Sequence, residues 1–404
     1  MSHDSDLLII GGGLNGPALA LAAARAGLSA TIIDARPEAQ LEAADFDGRA
    51  YALALASVRL LKALRVWDGV AQNAQPMLDI KVSDGHAGRG AAPFFLHFDH
   101  AEIEEGPMGQ MVEDRFLRRA LLEAMASNPL ITCLNGEAVT GQEITADSAS
   151  VTLASGRVLR GRLLVGCDGK TSGVAARAGI KRRGWPYGQT ALVCAIAHEK
   201  PHNGVAHQFF MPPGPLAILP LPGNRSSIVW SERRATAEAF QALDDAGYLA
   251  ALRPRFGDFL GEISLEGKRF SYPLGLSLAE RFSGARLALV GDAAHGLHPI
   301  AGQGLNAGLR DVAALAQVLS EARDRGEDIG SELVLGRYQE WRRFDTMSLA
   351  MATDMTNKLF SNDNPLLRLG RDLGLGAVGK LPKLRRSFIR EAAGLTGDLP
   401  ELMR

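Results

Sequence analysis

Three glycines, Gly11, Gly13 and Gly16, stand at the spacing G-x-G-x-x-G, and an acid, Asp34, follows 23 positions after the first. Each type at its place has a chemical use. Gly11 permits a tight turn, Gly13 lets the backbone approach a pyrophosphate, and Gly16 lets a helix pack closely on a strand. A carboxylate at the distance of Asp34 can accept hydrogen bonds from ribose hydroxyls, and a free 2′-hydroxyl reads as FAD or NAD rather than NADP. Arg36 can add a phosphate or adenine contact, although a solvated surface arginine explains it as well.

These residues act only if elements hold them. The apolar run 7–10 suits a buried parallel strand. Residues 18–26, rich in Ala and Leu, read as a helix with Pro17 in its first turn and Gly27 at its close. A second strand over 30–33 ends at Asp34. The whole is a βαβ unit whose helix N-terminus supplies free amides and a partial positive charge to phosphates. It does not separate FAD from NAD.

Two further corners follow. An apolar run at 163–167 leads into Asp168-Gly169, and a run at 286–290 leads into Gly291-Asp292. Strand ends in open α/β sheets are where ligands bind, although Asp-Gly is also a plain turn signal. From Leu305 a helix is expected through Val318, again behind glycines, with its N-terminus placed to favour the anionic reduced form of a flavin. Between these corners, short β-rich runs at 191–196, 207–211, 216–219 and 227–230 alternate with Gly and Pro clusters, the mark of an antiparallel sheet that can wall a substrate cavity. There is no second G-x-G-x-x-G unit to hold a pyridine nucleotide.

The 404 residues are 46% hydrophobic and 22% charged with a formal net charge of −1, an ordinary globular balance that points to no nucleic acid. The acidic start lacks a signal-peptide pattern, and the early apolar stretch is too short and too interrupted by charge to span a bilayer. A cytoplasmic protein is expected. Cys133, Cys167 and Cys194 form no CxxC pair and read as buried, reduced thiols. His295 and His298 read as surface or hydrogen-bonding imidazoles; they suggest no metal site, because no third ligand lies nearby.

The three glycine corners in this order, with the stretch 298–311 (HPIAGQGLNAGLRD), resemble the cofactor motifs of single-component FAD-dependent aromatic hydroxylases with a p-hydroxybenzoate hydroxylase-like fold. The 298–311 stretch, the run 359–364 and the closing 397–400 are similar to the subgroup that serves ubiquinone biosynthesis, so the likeness spans essentially the whole chain. The resemblance implies FAD as cofactor. Gly11, Gly13, Gly16 and Asp34 would hold its ADP half, Arg49 would sit near the pyrophosphate and the nicotinamide approach, and Arg115 would touch FAD. Asp168 would bridge FAD and reductant, and Asp292 would bind the ribityl chain. Pro299, Gly302, Gln303, Gly304, Leu305 and Asn306 would line the isoalloxazine. Leu14-Asn15-Gly16-Pro17 departs from the apolar or small residues usual in that first loop.

The implied fold is α/β: a discontinuous βαβ FAD-binding domain (1–75, 105–182, 280–325), an inserted mainly antiparallel β-sheet substrate domain (76–104, 183–279) and a helical C-terminal region (326–404). The implied activity is hydroxylation of a polyprenylated phenol or quinol by O2, with NAD(P)H or another reductant, through a flavin C4a-hydroperoxide. No residue is singled out as the catalytic base. Other proteins of ubiquinone biosynthesis are expected partners. Lys380, Lys383, Arg385, Arg386 and Arg390 among Leu381, Leu384, Phe388 and Ile389 suggest a basic amphipathic helix for peripheral contact with the inner face of a membrane, or an ordinary solvated face. Another flavin enzyme on this fold, an epoxidase or prenyl reductase, and a non-catalytic FAD- or prenyl-lipid-binding subunit are the competing readings. A halogenase is disfavoured because Trp67, Trp185, Trp230 and Trp341 form no W-x-W pair.

Overall fold

A computed structural model describes residues 3–41, 45–86, 88, 90–298, 302–360 and 381–404. The apolar run at the N-terminus becomes the strand Ser5–Ile10, buried at nearly every position because it lies inside a sheet covered on both faces. Around it the order is Ser283–Gly284, Leu287–Leu289, Val158–Gly166, Ser5–Ile10, Ala30–Asp34, Ile131–Asn135. From Leu287–Leu289 through Ile131–Asn135 the neighbours pair in parallel. A hairpin, Val139–Ile144 and Ala149–Leu153, joins antiparallel to Val158–Gly166.

The first helix runs Asn15–Arg25 rather than 18–26: Gly16 and Pro17 fall within its first turn, where no amide partner is lost. The helix expected from Leu305 to Val318 runs Gln303–Asp324, because Leu319 and Ala322 continue its buried face. The two helices pack on each other, and the long helix Glu332–Phe360 packs beside the second.

A second eight-stranded sheet has the order His295–Gly296, Ile263–Ala279, Arg182–His198, Arg225–Arg233, Leu216–Leu221, Val205–Phe210, Asp79–His86, Gly90–Asp99. Only Val205–Phe210 with Asp79–His86 is parallel. Its two longest strands have 17 residues each, where the sequence marked only 191–196 in one and nothing in the other. Their outer ends are polar, Gly- and Pro-bearing, and half in solvent, so they lack the apolar run that signals a strand. Alternation divides this sheet. Leu192, Cys194, Ile218, Ile228 and Trp230 pack under the helices Arg234–Gln241 and Asp245–Phe256, and the intervening side chains face the other way. Of the three cysteines only Cys194 is fully buried; Cys167 is half-buried and Cys133 is exposed, and all three are free thiols. No helix among the described residues is long and apolar enough to cross a membrane.

Candidate active site

Strand order brings the three corners together. Ser5–Ile10, Val158–Gly166 and Leu287–Leu289 are parallel neighbours, so the turns after them open at one edge of the sheet. Gly11 has φ +110°, and a Cβ there would lie 2.4 Å from the carbonyl oxygen of Cys167, at the second corner. The Val290 N–H donates to Gly166 O at 2.9 Å, joining the second corner to the third. A Cβ on Gly16 would come within 2.0 Å of Gly11 O, so helix and turn are in backbone contact. At Gly13 a Cβ would meet nothing within 4 Å, which leaves the room a pyrophosphate needs beside the helix N-terminus.

Asp34 closes the first corner. Its Oδ2 accepts the Gly12 N–H at 2.5 Å, and both oxygens accept the guanidinium of Arg36 at 2.9 Å. Burial pushes this carboxyl up in pKa, but the bonds from Arg36 and Gly12 outweigh it and hold the group below its ordinary value. Arg36 is thus tied to the acid expected to meet ribose.

The third corner is braced from beneath. Asp311, fully buried, accepts the Gly291 N–H at 2.9 Å, His295 Nε2 at 2.6 Å and Arg342 Nε at 2.8 Å. Burial disfavours its charge; His295 and Arg342 more than compensate and keep its pKa low. Arg182, from the second sheet, donates to the backbone oxygens of Asp292 and Ala293. The Asp292 carboxylate itself makes no hydrogen bond or ion pair among the described residues and lines the cavity. Asn15 fills the notch between Gly291 and Gly308: a Cβ on either would lie 2.2 or 2.5 Å from its Nδ2. Its Oδ1 is buried without a partner. The unusual residue of the first loop therefore wedges the first corner against the third.

Gly302, at φ +64°, turns the chain into the helix Gln303–Asp324. Asn306 spends its amide holding that turn: Nδ2 donates to Gly302 O and Ala52 O, and Oδ1 accepts from Ala54 N and Ser57 Oγ. Gly302 through Asn306 line the cavity together with Asn15 and Asp292; Pro299 lies outside the described residues.

Arg49 also lines the cavity, held by Asp47 at 2.6 Å and 3.6 Å from Asp114. Arg115 pairs with the fully buried Glu113 at 2.8 Å and stacks over Phe116. Asp114 and Arg118, its neighbours on the helix Asp114–Ala126, form a buried pair, and Tyr51 donates to Asp114 at 2.9 Å. Asp168 braces the start of the short helix Gly173–Arg177, accepting from the Oγ of its N-cap Ser172 and from Val174 N at 3.0 Å. The sequence reading passed over Asn15, Asp114, Arg118 and Arg182. Asn15 and Arg182 meet partners far along the chain, and Asp114 meets Tyr51 from a separate strand, so for these only the oddity of Asn15 in its loop was a signal; Asp114 and Arg118 are four residues apart on one helix face, a spacing the sequence does display.

His295 bonds to Asp311 as a hydrogen-bonding imidazole would. His298 departs from both readings offered for it, being fully buried with neither ring nitrogen bonded. It packs edge-on against Tyr187, centroids 5.2 Å apart, and burial pushes it down to about 4. Among the described residues no group of His, Cys, Asp and Glu has the form of a metal site.

From the corner at Asp292 and Gly302 the cavity, about 1230 Å³, runs under the second sheet. Alternate residues of several strands line it, among them Ala191 and Val193, Ala206 and Gln208, and Ala217 and Leu219. Beyond them it meets Phe98, Met108 and side chains of the helices Glu332–Phe360 and Pro382–Ala392. The walls are largely apolar, and the volume exceeds the roughly 300–1,000 Å³ usual for a small-ligand pocket. A free carboxylate at Asp292, open space at Gly13 and a helix N-terminus behind Gly302 fit a dinucleotide with a ring system at its far end.

The sequence profile of a family described as "FAD binding domain" matches residues 4–348. The chain is 47% identical to a protein named ubiquinone hydroxylase UbiL of Rhodospirillum rubrum, over 99% of this chain and 92% of that one. It is 35% identical to the 3-demethoxyubiquinol 3-hydroxylase of Escherichia coli, over 98% of this chain and 100% of the relative. The crystal structure of p-nitrophenol 4-monooxygenase PnpA from Pseudomonas putida superposes with a TM-score of 0.82, covering 98% of this chain and 99% of that one at 19% identity, a likeness of fold.

Proposed function

This chain belongs to the FAD-binding-domain family, among the FAD-dependent aromatic-ring hydroxylases with relatives named as ubiquinone hydroxylases, and on that premise we propose that it hydroxylates the ring of a polyprenylated phenol or quinol on the route to ubiquinone. The observation that carries the reading is the cavity. It starts at the residues that face a flavin and continues as an apolar passage under the second sheet, so a ring fits at one end and a prenyl chain along the rest. FAD, held by the residues below, would supply the chemistry: two-electron redox exchange with NAD(P)H or another reductant and activation of O2 for insertion of one oxygen atom.

The chain's own residues bind, orient and exclude water. Gly11, Gly13, Gly16 and Asp34, with Arg36 on the acid, hold the ADP half. Arg49 would stand at the pyrophosphate and the reductant's approach, and Asp168 fixes the second corner through the helix start it braces. Asp292 takes the ribityl hydroxyls. Gly302 through Leu305 would hold the ring system at the helix N-terminus, and Asn306 holds that turn still. Arg115 acts on the site through Glu113. The apolar walls keep bulk water from the activated oxygen. A prenylated substrate stays in a bilayer, so the enzyme works peripherally at the inner face of the membrane, near other proteins of the same route.

The test is direct. FAD-loaded protein is given NADH or NADPH, isotopically heavy O2 and a short-chain prenylated phenol, and the product is weighed. One heavy oxygen on the ring supports the proposal. A product two hydrogens heavier with no oxygen would make it a reductase, and a yellow protein that yields no product would make it a binding subunit.

A further inference from the structure

The helices Glu332–Phe360 and Pro382–Ala392 each serve two surfaces. Toward the cavity they contribute Thr353 and Thr356, and Glu391 and Ala392. Away from it, Phe344, Met347, Met351 and Met355 follow at gaps of three and four residues, one stripe of a helix, and are 76, 44, 62 and 67% exposed. The shorter helix adds Leu381 and Leu384, 54 and 41% exposed. Leu359 and Phe388 belong to both surfaces: they line the cavity and are 44 and 45% exposed. The exposed stripe and the cavity lining thus meet at these two apolar side chains. Single exposed apolar residues are ordinary, but a stripe of this length continuous with the lining of a cavity is not.

Charge frames the stripe. Pro382–Ala392 carries Lys383, Arg385, Arg386 and Arg390 against one acid, Glu391. Arg385 is bound to Glu102 and Arg390 to Glu105, and the buried Ile389 packs with Leu96 and Phe98, so the helix is fastened to the body. Lys383 and Arg386 are exposed and make no ion pair among the described residues. Apolar side chains beside unpaired cations on a helix face are the composition of an interfacial helix on anionic lipid.

We propose that this two-helix face docks on an anionic bilayer, and that a substrate's apolar tail passes from lipid into the cavity between Leu359 and Phe388 without crossing water. The proposal rests on the prenylated-substrate reading above and adds the surface and the route. A bilayer is favoured over a protein partner because the apolar stripe runs into the lining of an apolar cavity and stands beside exposed cations.

The FAD-loaded protein is sedimented with phosphatidylcholine vesicles, with and without phosphatidylglycerol, and compared with two double variants outside the cavity lining. Expected are phosphatidylglycerol-dependent binding that weakens with salt, an about tenfold loss in Met351→Glu/Met355→Glu, and loss of the phosphatidylglycerol dependence in Lys383→Glu/Arg386→Glu. Both variants should turn over a detergent-dispersed short-chain substrate within about twofold of the parent and fail on a long-chain substrate held in vesicles. Equal sedimentation of parent and both variants would overturn the proposal. So would a parent that stays in the supernatant, or one whose stripe is instead protected by a protein partner. If the vesicle results hold but no form hydroxylates the short-chain substrate, the docking face stands and the assigned reaction falls.

Discussion

An added Cβ at Gly16 would lie 2.0 Å from the Gly11 carbonyl oxygen, a collision between backbones that no rotamer change relieves. The substitution Gly16→Ala should therefore separate the first helix from its turn, displace the amides that face the pyrophosphate and give protein purified without flavin colour, read as loss of absorbance near 450 nm. His298 makes a different kind of statement. Burial lowers its pKa from about 6.5 to about 4, so the folded protein holds it neutral while the unfolded chain takes up a proton between these values. Stability from this group is complete above about pH 6.5 and is lost as pH falls toward 4, up to roughly 3 kcal/mol in all. Denaturant titrations of His298→Leu across that window should show a shallower acid slope than the parent. An unchanged slope would place the imidazole in water.

Elements meet at Asp311. One carboxylate on the helix Gln303–Asp324 receives the turn at Gly291, His295 from the strand His295–Gly296 and Arg342 from the helix Glu332–Phe360. Removing it leaves the fully buried Arg342 with Asp345 as its remaining acidic partner and frees the turn that carries Asp292. Asp311→Ala should cost about 3–5 kcal/mol in unfolding free energy, a larger loss than any exposed ion pair of the molecule gives. FAD affinity should fall with it, because the third corner loses its brace; retention of both would show that the network is redundant. The helix itself was plain in the sequence, with Ala313, Ala314, Leu315 and Val318 as its packing face. What Asp311 touches was not, since its partners stand 16, 20 and 31 residues away and no local pattern selects them.

At the scale of the molecule the two sheets cooperate. Arg225 of the second sheet pairs at 2.7 Å with Glu113, which also binds Arg115, and so fastens the cavity's roof to a third, three-stranded sheet whose strand Ala50–Ala54 follows Arg49. The roof is lined by small residues: Ala191, Ala206 and Ala217 keep the passage open. Ala217→Phe should fill part of it. Turnover of a long-chain prenylphenol should drop by about tenfold or more through KM, while a substrate without the tail and the flavin spectrum change little. Equal losses for both substrates would place the tail elsewhere.

Length, composition and local spacing determined the framework. The G-x-G-x-x-G turn, Asp34 at the second strand's end and the glycine-led helix after 302 act within a few residues of themselves, so the chain states them locally. The Gly- and Pro-punctuated middle likewise announced a sheet, and the basic run from Lys383 a helix. Tertiary structure alone decided which side chains face one another. It turned Arg115 toward Glu113, buried His298 against Tyr187 with neither ring nitrogen hydrogen-bonded among the described residues, wedged Asn15 between two distant glycines and joined alternate residues of separate strands into one cavity. Those outcomes depend on packing between segments far apart in sequence, where a contact is fixed by the shape of the whole core and leaves no periodic trace along the chain.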